Sequence, residues 1–284
     1  VAVGLARLGR RVAYIGRVGA DGFGLAILRR LRAEEVDVAG LVTDEDARSG
    51  LLVRERRTLG PSEVVYHRAG SAGSRLNPRD VRRCEDVIRR ARWLHVTGIT
   101  PALSDSASDA VREAVAIAAE AAVPVSLDIN YRSRLWSADA ARLRLAPLLA
   151  RADVVFGDLA ELAVAAGSPP AAAVATILAA GAKVVVVKEG SHGASHHAPD
   201  RPVSSAPAVS VDRVVDPIGA GDAFCAGYLA ATLDGAGPAT ALAWGCACGA
   251  AAIAAEGDME GLPTLVELER LLAGGETAAA DVIR

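Results

Sequence analysis

A short glycine-rich segment towards the end of the chain carries residue types suited to phosphate chemistry. It reads Gly219-Ala220-Gly221-Asp222, and an alanine-rich stretch of helical spacing follows from Ala223 to Leu233. This spacing places both glycines at the start of a helix, where backbone N–H groups are unpaired and the helix dipole is positive. Glycine lets a phosphate approach that backbone closely. Asp222 could then accept a proton from a substrate hydroxyl as general base, although the same residues would also suit a helix cap beside a tight turn.

The match extends beyond a bare glycine motif. Asp216-Pro217-Ile218 comes before it, and Ala223-Phe224 and Gly227 come after it. The whole run resembles the carboxyl-terminal signature of the ribokinase-like (PfkB) carbohydrate kinases. The resemblance implies an anion hole formed by the backbone of Gly219, Ala220 and Gly221, with Asp222 as catalytic base in contact with the substrate. It also implies ATP and Mg²⁺ as cofactors, and a monovalent cation such as K⁺ near Asp216.

Two other segments carry groups suited to an acidic sugar. Tyr66-His67-Arg68 precedes a Gly-Ser-Ala-Gly-Ser run, and Asp128-Ile129-Asn130-Tyr131-Arg132 precedes Leu135-Trp136. Arginine offers a planar fork that fits a carboxylate. Both runs resemble the 2-keto-3-deoxygluconate kinases of the same family, which implies that Tyr66, Arg68, Ile99 and Arg132 bind the sugar acid. The alternatives are a surface Arg68 and an Arg132 held by Asp128, with Arg134 as a rival for the second cation.

The nucleotide and metal assignments also follow from the resemblance. Asp158 stands where the family usually has Asn, and Glu161 matches the family's Glu, which links the pair to magnesium and phosphate. Acids gather at helix N-termini in any case, because the dipole favours them. The residues implied to bind the nucleotide are Asp158, Lys188, Gly190, Gly193, Gly219, Gly221 and Cys246. Those implied to bind metal are Glu161 and Asp216.

Alternating strand and helix patterns must position these groups. Strands are predicted at Val12–Ile15, 93–97, 123–128, 153–156 and 183–188, with helices between most of them. One predicted helix begins with a capping Asn77 followed by Pro78 and runs to about Ala91, and a loop is predicted at 98–103. Gly16 to Gly24 is predicted to be a loop, and it resembles the family's amino-terminal signature. Two β segments, Gly50–Glu55 and Glu63–His67, are predicted to pair antiparallel around a Gly60-Pro61 turn. This alternation indicates an α/β fold, and the resemblance implies a ribokinase-like three-layer α/β/α domain over 1–284, with a mostly parallel sheet and a β lid at about 49–68.

Composition narrows the function classes. Net charge is −3, from 31 basic and 34 acidic residues, which argues against nucleic-acid binding because such binding needs a basic surplus. Hydrophobic residues make up 51% of the chain, but no apolar run reaches the ~20 residues of a membrane span. The cysteines, Cys84, Cys225, Cys246 and Cys248, fall in predicted helices without paired spacing, which indicates a reduced, cytoplasmic protein rather than a zinc site.

The sequence therefore predicts an ATP-dependent kinase that converts 2-keto-3-deoxygluconate to its 6-phosphate, as a homo-oligomer through the lid strands. A kinase for a neutral sugar such as fructose or ribose is the alternative. It differs in that a neutral sugar would not need two cations beside it. A non-catalytic sugar- or nucleotide-binding relative is another, since the family's Gly-Gly pair and first strand would lie before Val1. On that ground we expect the chain as written to be truncated and unstable or weakly active. A dinucleotide-binding oxidoreductase would require a glycine fingerprint that is absent here.

Overall fold

A computed structural model describes residues 1–55 and 63–273, and residue contacts divide the chain into two compact units. The central unit comprises Ala13–Val185. The terminal unit combines both ends of the chain, Val1–Val12 and Val186–Arg284. A single domain over 1–284 stays a prediction.

The described part contains twelve α-helices and ten strands. The helices are α1 (Ala2–Arg7), α2 (Gly22–Ala33), α3 (Pro78–Arg82), α4 (Glu85–Arg90), α5 (Ile99–Leu103), α6 (Asp105–Glu120), α7 (Ala138–Leu149), α8 (Leu159–Ala166), α9 (Pro170–Ala179), α10 (Ala220–Leu233), α11 (Pro238–Ile253) and α12 (Leu265–Ala273). The strands are β1 (Gly16–Gly19), β2 (Leu41–Asp44), β3 (Leu51–Glu55), β4 (Glu63–His67), β5 (Leu94–Thr97), β6 (Val125–Asp128), β7 (Val154–Gly157), β8 (Val184–Lys188), β9 (Ala194–His197) and β10 (Ser204–Ala206). Within the described ranges no single helix is long and apolar enough to cross a membrane, although the bent pair α8 and α9 passes that test together.

The central unit is built on a sheet with strand order β7-β6-β5. β5 pairs parallel with β6, and β6 pairs parallel with β7. Leu127, Val155 and Phe156 on these strands are completely buried, as expected for apolar strands of a parallel sheet covered on both faces. The parallel strands end together, so their following loops meet at one edge where ligands of α/β proteins gather. β1–β2 and β3–β4 form two further two-stranded sheets in this unit.

The terminal unit packs small residues closely. Its strands follow the order β10-β9-β8, and β9 pairs antiparallel with β10. A Cβ on Gly227 of α10 would lie 2.5 Å from the Trp244 carbonyl oxygen of α11. A Cβ on Gly4 of α1 would lie 2.7 Å from the Ala226 Cβ of α10. The Ala- and Gly-rich composition therefore brings three helices close together and buries the middle of α10.

Four predicted elements are wrong. Val12–Ile15 contains only an isolated bridge from Ala13 to Asp37. The predicted loop Gly16–Gly24 contains the start of α2 at Gly22 and, before it, the strand β1 at Gly16–Gly19, parallel to β2. That strand begins and ends with glycine, which weakens the strand pattern in the sequence. The predicted loop 98–103 contains α5, and the helix predicted from Asn77 to Ala91 divides at Cys84 into α3 and α4. The predicted pairing of β3 with β4 is confirmed, whereas the Gly60-Pro61 turn lies outside the described residues.

Candidate active site

The start of α10 presents backbone donors and a carboxylate together. Gly219 precedes the helix with φ 83°, a left-handed conformation that favours glycine, and no side chain of the described residues caps this end. A Cβ on Gly219 would lie 2.7 Å from the Asp258 carbonyl oxygen. Asp222 is in the first helical turn and exposed. The first-turn N–H groups can therefore donate to an anion, with an ionisable carboxylate beside it.

Asp216 is held rigidly just before this loop. Its side chain is 3% exposed. Oδ1 accepts from the Ile218 N–H at 3.1 Å, and Oδ2 accepts from the Gly257 N–H at 3.4 Å. The Asp216 backbone N–H also donates to the Ile253 carbonyl oxygen. A buried carboxylate in this position ties the glycine loop to the 257–258 turn, and its oxygens are the type of ligand that hard cations prefer.

The turn after β8 lies beside the glycine loop within the same unit. Lys188 ends β8, and its Nζ is 3.4 Å from where a Gly221 Cβ would be. Gly190 and Gly193 both have positive φ, and a Gly193 Cβ would lie 2.0 Å from the Ala206 carbonyl oxygen. The structure thus brings the predicted Lys188 to the predicted Gly221, where an ammonium group can interact with phosphate oxygens.

Cys246 lies on α11 and is 8% exposed. Burial, followed by the charge of Glu189, raises the pKa of this thiol to about 11. Cys246 is therefore a neutral, weak hydrogen-bond group at pH 7. Glu189 follows Lys188 directly and accepts a hydrogen bond from Ser195 Oγ at 2.8 Å. Cys246, which was predicted to bind the nucleotide, therefore lies close enough to Glu189 in the turn after β8 to sense its charge.

In the central unit, Tyr66 and Arg68 form one group. The guanidinium carbon of Arg68 lies 4.8 Å from the centroid of the Tyr66 ring, a cation–π contact. Tyr66 is on β4, and Arg68 follows directly after that strand. The stacked ring limits the positions that the guanidinium can adopt, so the planar fork is preorganised for a carboxylate.

Asp158, Glu161 and Arg132 form a second group in this unit. Asp158 caps α8: its Oδ1 accepts from the Glu161 N–H at 2.8 Å, and Glu161 Oε2 accepts from the Asp158 N–H at 3.1 Å. Arg132 Nη1 lies 3.2 Å from Glu161 Oε1. The reciprocal bonds explain why Asp can stand at this position, because a carboxylate caps a helix as well as an amide does. Arg132 therefore contacts Glu161 in this structure.

Sequence reasoning gave no role to several residues of these groups. Asn130 has φ 44° and is 8% exposed, and its Oδ1 has no hydrogen-bond partner among the described residues. Asn130 follows β6, whereas the predicted Ile99 begins α5 after β5, with its N–H 3.3 Å from Thr97 Oγ1. Gly257 and Asp258 pack on the glycine loop. The asparagine before Arg132 was visible as a motif position, but the 257–258 contact depends on tertiary packing that spacing does not reveal.

Comparisons with known proteins agree over nearly the whole chain. The family model for pfkB family carbohydrate kinases matches residues 1–265. The 2-dehydro-3-deoxygluconokinase of Bacillus subtilis is 36% identical over 280 residues, covering 98% of this chain and 86% of the relative. The 2-dehydro-3-deoxygalactonokinase of Haloferax volcanii is 32% identical over 281 residues, covering 97% and 86%.

A solved structure gives the same result for the fold. It is of an E. coli protein provisionally called ribokinase II, in complex with ATP and Mg²⁺. The TM-score is 0.87 at 29% identity, and the match covers 95% of this chain and 86% of that one. The predicted ribokinase-like α/β fold with a mostly parallel sheet is confirmed.

Proposed function

This chain belongs to the pfkB family of carbohydrate kinases, and on that premise we propose that it phosphorylates 2-keto-3-deoxygluconate at the 6-hydroxyl with ATP. The observation that carries the proposal is the 36% identity to a 2-dehydro-3-deoxygluconokinase over 98% of this chain. The Tyr66–Arg68 contact supports the choice of an acid sugar. A galactonate isomer is the second candidate, because a 2-dehydro-3-deoxygalactonokinase is 32% identical.

The start of α10 supplies the chemistry of transfer. The substrate hydroxyl oxygen attacks the γ-phosphorus, its proton passes to the Asp222 carboxylate, and the bond to the β-phosphate oxygen breaks to release ADP. The N–H groups of Ala220 and Gly221 donate to the transferring group, where charge develops and such donors have the largest effect. Lys188, close to Gly221, offsets the remaining negative charge. Gly190, Gly193 and Cys246 complete the proposed nucleotide site.

Arg68 and Arg132 are proposed to hold the substrate carboxylate, with Tyr66 and Ile99 beside the sugar. Arg68 is preorganised by its contact with the Tyr66 ring. Arg132 is exposed and bonded to Glu161, so substrate binding would compete with, or add to, that ion pair. Both cations would orient the 6-hydroxyl for attack, and orientation of bound groups contributes strongly to catalysis.

Carboxylate oxygens at two places fit the implied cations. Asp158 and Glu161 supply the oxygen type that Mg²⁺ prefers, and Asp216 supplies it for K⁺. The described residues contain no cluster of three or more potential metal-ligating side chains. Phosphate oxygens and water would therefore complete the Mg²⁺ coordination shell, because Mg²⁺ usually keeps several water ligands and binds few protein carboxylates. When bound, Mg²⁺ neutralises phosphate charge.

Steady-state ADP release from MgATP tests this proposal. The acceptors are 2-keto-3-deoxygluconate, 2-keto-3-deoxygalactonate, fructose and ribose. We expect turnover on a keto acid, and Asp222→Asn to lower kcat by about 10²- to 10⁴-fold, the usual effect of a general base. Arg68→Ala should raise KM for the keto acid by about tenfold or more, because bonds to charged groups are the stronger ones.

Arg151→Ala is the matched control, because Arg151 is an exposed arginine with no role in the proposed site. It should leave both constants unchanged. Turnover on fructose or ribose alone would remove the argument for a carboxylate-binding Arg68 and favour the neutral-sugar kinase. Binding of sugar or nucleotide without any turnover would favour the non-catalytic alternative.

A homo-oligomer through the β3–β4 hairpin is a further part of the proposal. Leu52, Val53 and Val65 are 44%, 51% and 44% exposed there, so both strands offer apolar surface to a second copy. Light scattering of the protein, with Val53→Lys to disrupt the surface, measures this directly. The cytoplasmic location inferred from the few cysteines also stays a proposal.

A further inference from the structure

One hydroxyl in the central unit makes an unusually complete set of hydrogen bonds. Ser49 is 7% exposed and lies just before β3. Its Oγ donates to Asp21 Oδ1 at 2.9 Å and accepts from the Gly19 N–H at 3.0 Å. Its own N–H donates to Asp21 Oδ2 at 2.7 Å. Both donors of Ser49, its N–H and its hydroxyl, therefore bind the Asp21 carboxylate, while its hydroxyl oxygen accepts from the Gly19 backbone.

Asp21 serves two elements at once. Its Oδ1 also accepts from the Gly24 N–H at 2.8 Å, which caps α2. The backbone N–H groups of Ser49 and Gly24 lower the pKa of Asp21. The carboxylate thus stays charged at neutral pH and joins the start of α2 to the residue that leads into β3.

The surrounding glycines leave no room for side chains. A Cβ on Gly19 would lie 2.5 Å from the Ser49 nitrogen and 2.6 Å from the Ala47 carbonyl oxygen. A Cβ on Gly24 would lie 2.0 Å from the Gly19 carbonyl oxygen and 3.1 Å from Ser49 Oγ. Glycine at positions 19 and 24 therefore allows Ser49 to pack against this segment, a contact that the local sequence does not reveal.

This contact lies at the base of the β3–β4 hairpin. Among the residues that the structure describes, β3 and β4 pair only with each other, as a two-stranded sheet. The two legs of the hairpin meet where the Ala72 N–H donates to the Arg48 carbonyl oxygen at 2.8 Å. Ser49 is the next residue, so its bonds to Asp21 attach the joined legs to β1 and α2. Tyr66 and Arg68 lie at the end of β4, within this attached segment.

We propose that Asp21 and Ser49 are positioning residues, which fix the angle of the β3–β4 hairpin and so place Tyr66 and Arg68 for the substrate. The effect on substrate depends on the proposed function, whereas the effect on the hairpin does not. Without the contact, the hairpin would sample other angles, and apparent affinity falls in proportion to the fraction of protein in the competent state.

Hydrogen–deuterium exchange and steady-state kinetics of Ser49→Ala and Asp21→Asn in the full-length protein test this. We expect faster exchange in peptides covering 51–55 and 63–67, and a KM for the keto acid raised by about five- to tenfold with a smaller change in kcat. Ser49→Ala removes the Oγ contact with Asp21 Oδ1 but keeps the Ser49 N–H bond to Asp21 Oδ2. The double variant should therefore show an effect smaller than the sum of the two single effects, because both changes remove the shared Oγ–Oδ1 contact. Unchanged exchange and KM in both folded single variants would overturn the proposal.

The terminal unit supplies a matched control. Glu267 Oε2 accepts from the Thr264 N–H at 2.7 Å and from Thr264 Oγ1 at 2.8 Å, the same chemistry at the start of α12. Thr264→Ala and Glu267→Gln should leave the hairpin exchange and KM unchanged. Faster exchange throughout the central unit in Ser49→Ala would mean general destabilisation and would also overturn the proposal. If no sugar is turned over, the exchange result still decides whether the contact holds the hairpin, so failure of the proposed function remains distinguishable.

Discussion

Substituting Gly219 by alanine tests the glycine loop because the chain contains a matched position. Gly219 and Gly235 flank the same helix, α10, with φ values of 83° and 80°. An alanine in this left-handed conformation costs about 1–2 kcal/mol. A Cβ on Gly235 meets no atom within 4 Å, whereas one on Gly219 would lie 2.7 Å from the Asp258 carbonyl oxygen. Gly235→Ala therefore adds conformational strain alone, and Gly219→Ala adds the same strain together with a forced shift of the loop.

The expected magnitudes follow from that difference. Strain of about 1–2 kcal/mol corresponds to a fall in Tm of roughly 2–8 °C for a chain of this size, and we expect Gly235→Ala to stay within it at unchanged kcat. Gly219→Ala should lower Tm further and lower kcat by about 10- to 100-fold, since small misplacement of donors at the transferring group is costly. Thermal melting and ADP release measure both variants. Equal Tm and equal kcat for the two would refute the steric argument and the role given to the Gly219 loop.

Two further predictions concern titrating groups. Because the pKa of Cys246 is raised to about 11, we expect this thiol to resist alkylation by iodoacetamide at pH 8 in the folded protein, and peptide mapping that finds it modified as fast as in the unfolded chain would contradict its burial. The pKa of Asp21 is lowered by its hydrogen bonds, so its contribution to stability should be complete above the ordinary aspartate pKa and be lost as pH falls through the lower folded value. Melting curves from pH 7 down to pH 3 should therefore show a shallower decline for Asp21→Asn than for the parent protein; identical slopes would contradict this.

Local patterns were sufficient where one element determines a feature. The valine run of β8 and the capped start of α3 at Asn77 could be read from the sequence, because burial and capping each leave a local signal. The strand at Gly16–Gly19 could not, since its Gly19 is required by Ser49, which is distant in sequence. The break at Cys84 between α3 and α4 likewise has no proline or glycine to announce it.

In the candidate site, too, features formed by consecutive residues could be predicted, whereas contacts between distant residues could not. Gly219 to Asp222 was recognised because loop, helix start and carboxylate are consecutive. The ion pair of Arg132 with Glu161 was not predicted, because Arg132 lies in the loop after β6 and Glu161 lies in the first turn of α8, after β7. Contacts of this kind depend on how parallel strands align at one edge of the sheet, which periodicity leaves undetermined.

The composition of the terminal unit has a consequence for how the protein is made. Arg7 Nη1 donates to the carbonyl oxygens of Met259 and Leu262, partners more than 250 positions away. A ribosome delivers α1 long before α10, so α1 must remain unpaired while the contiguous central unit, complete at Val185, is already able to fold. Closing so long a loop is slow compared with forming local contacts. α1 therefore stays accessible to chaperones and proteases until its partners in the terminal unit have been made.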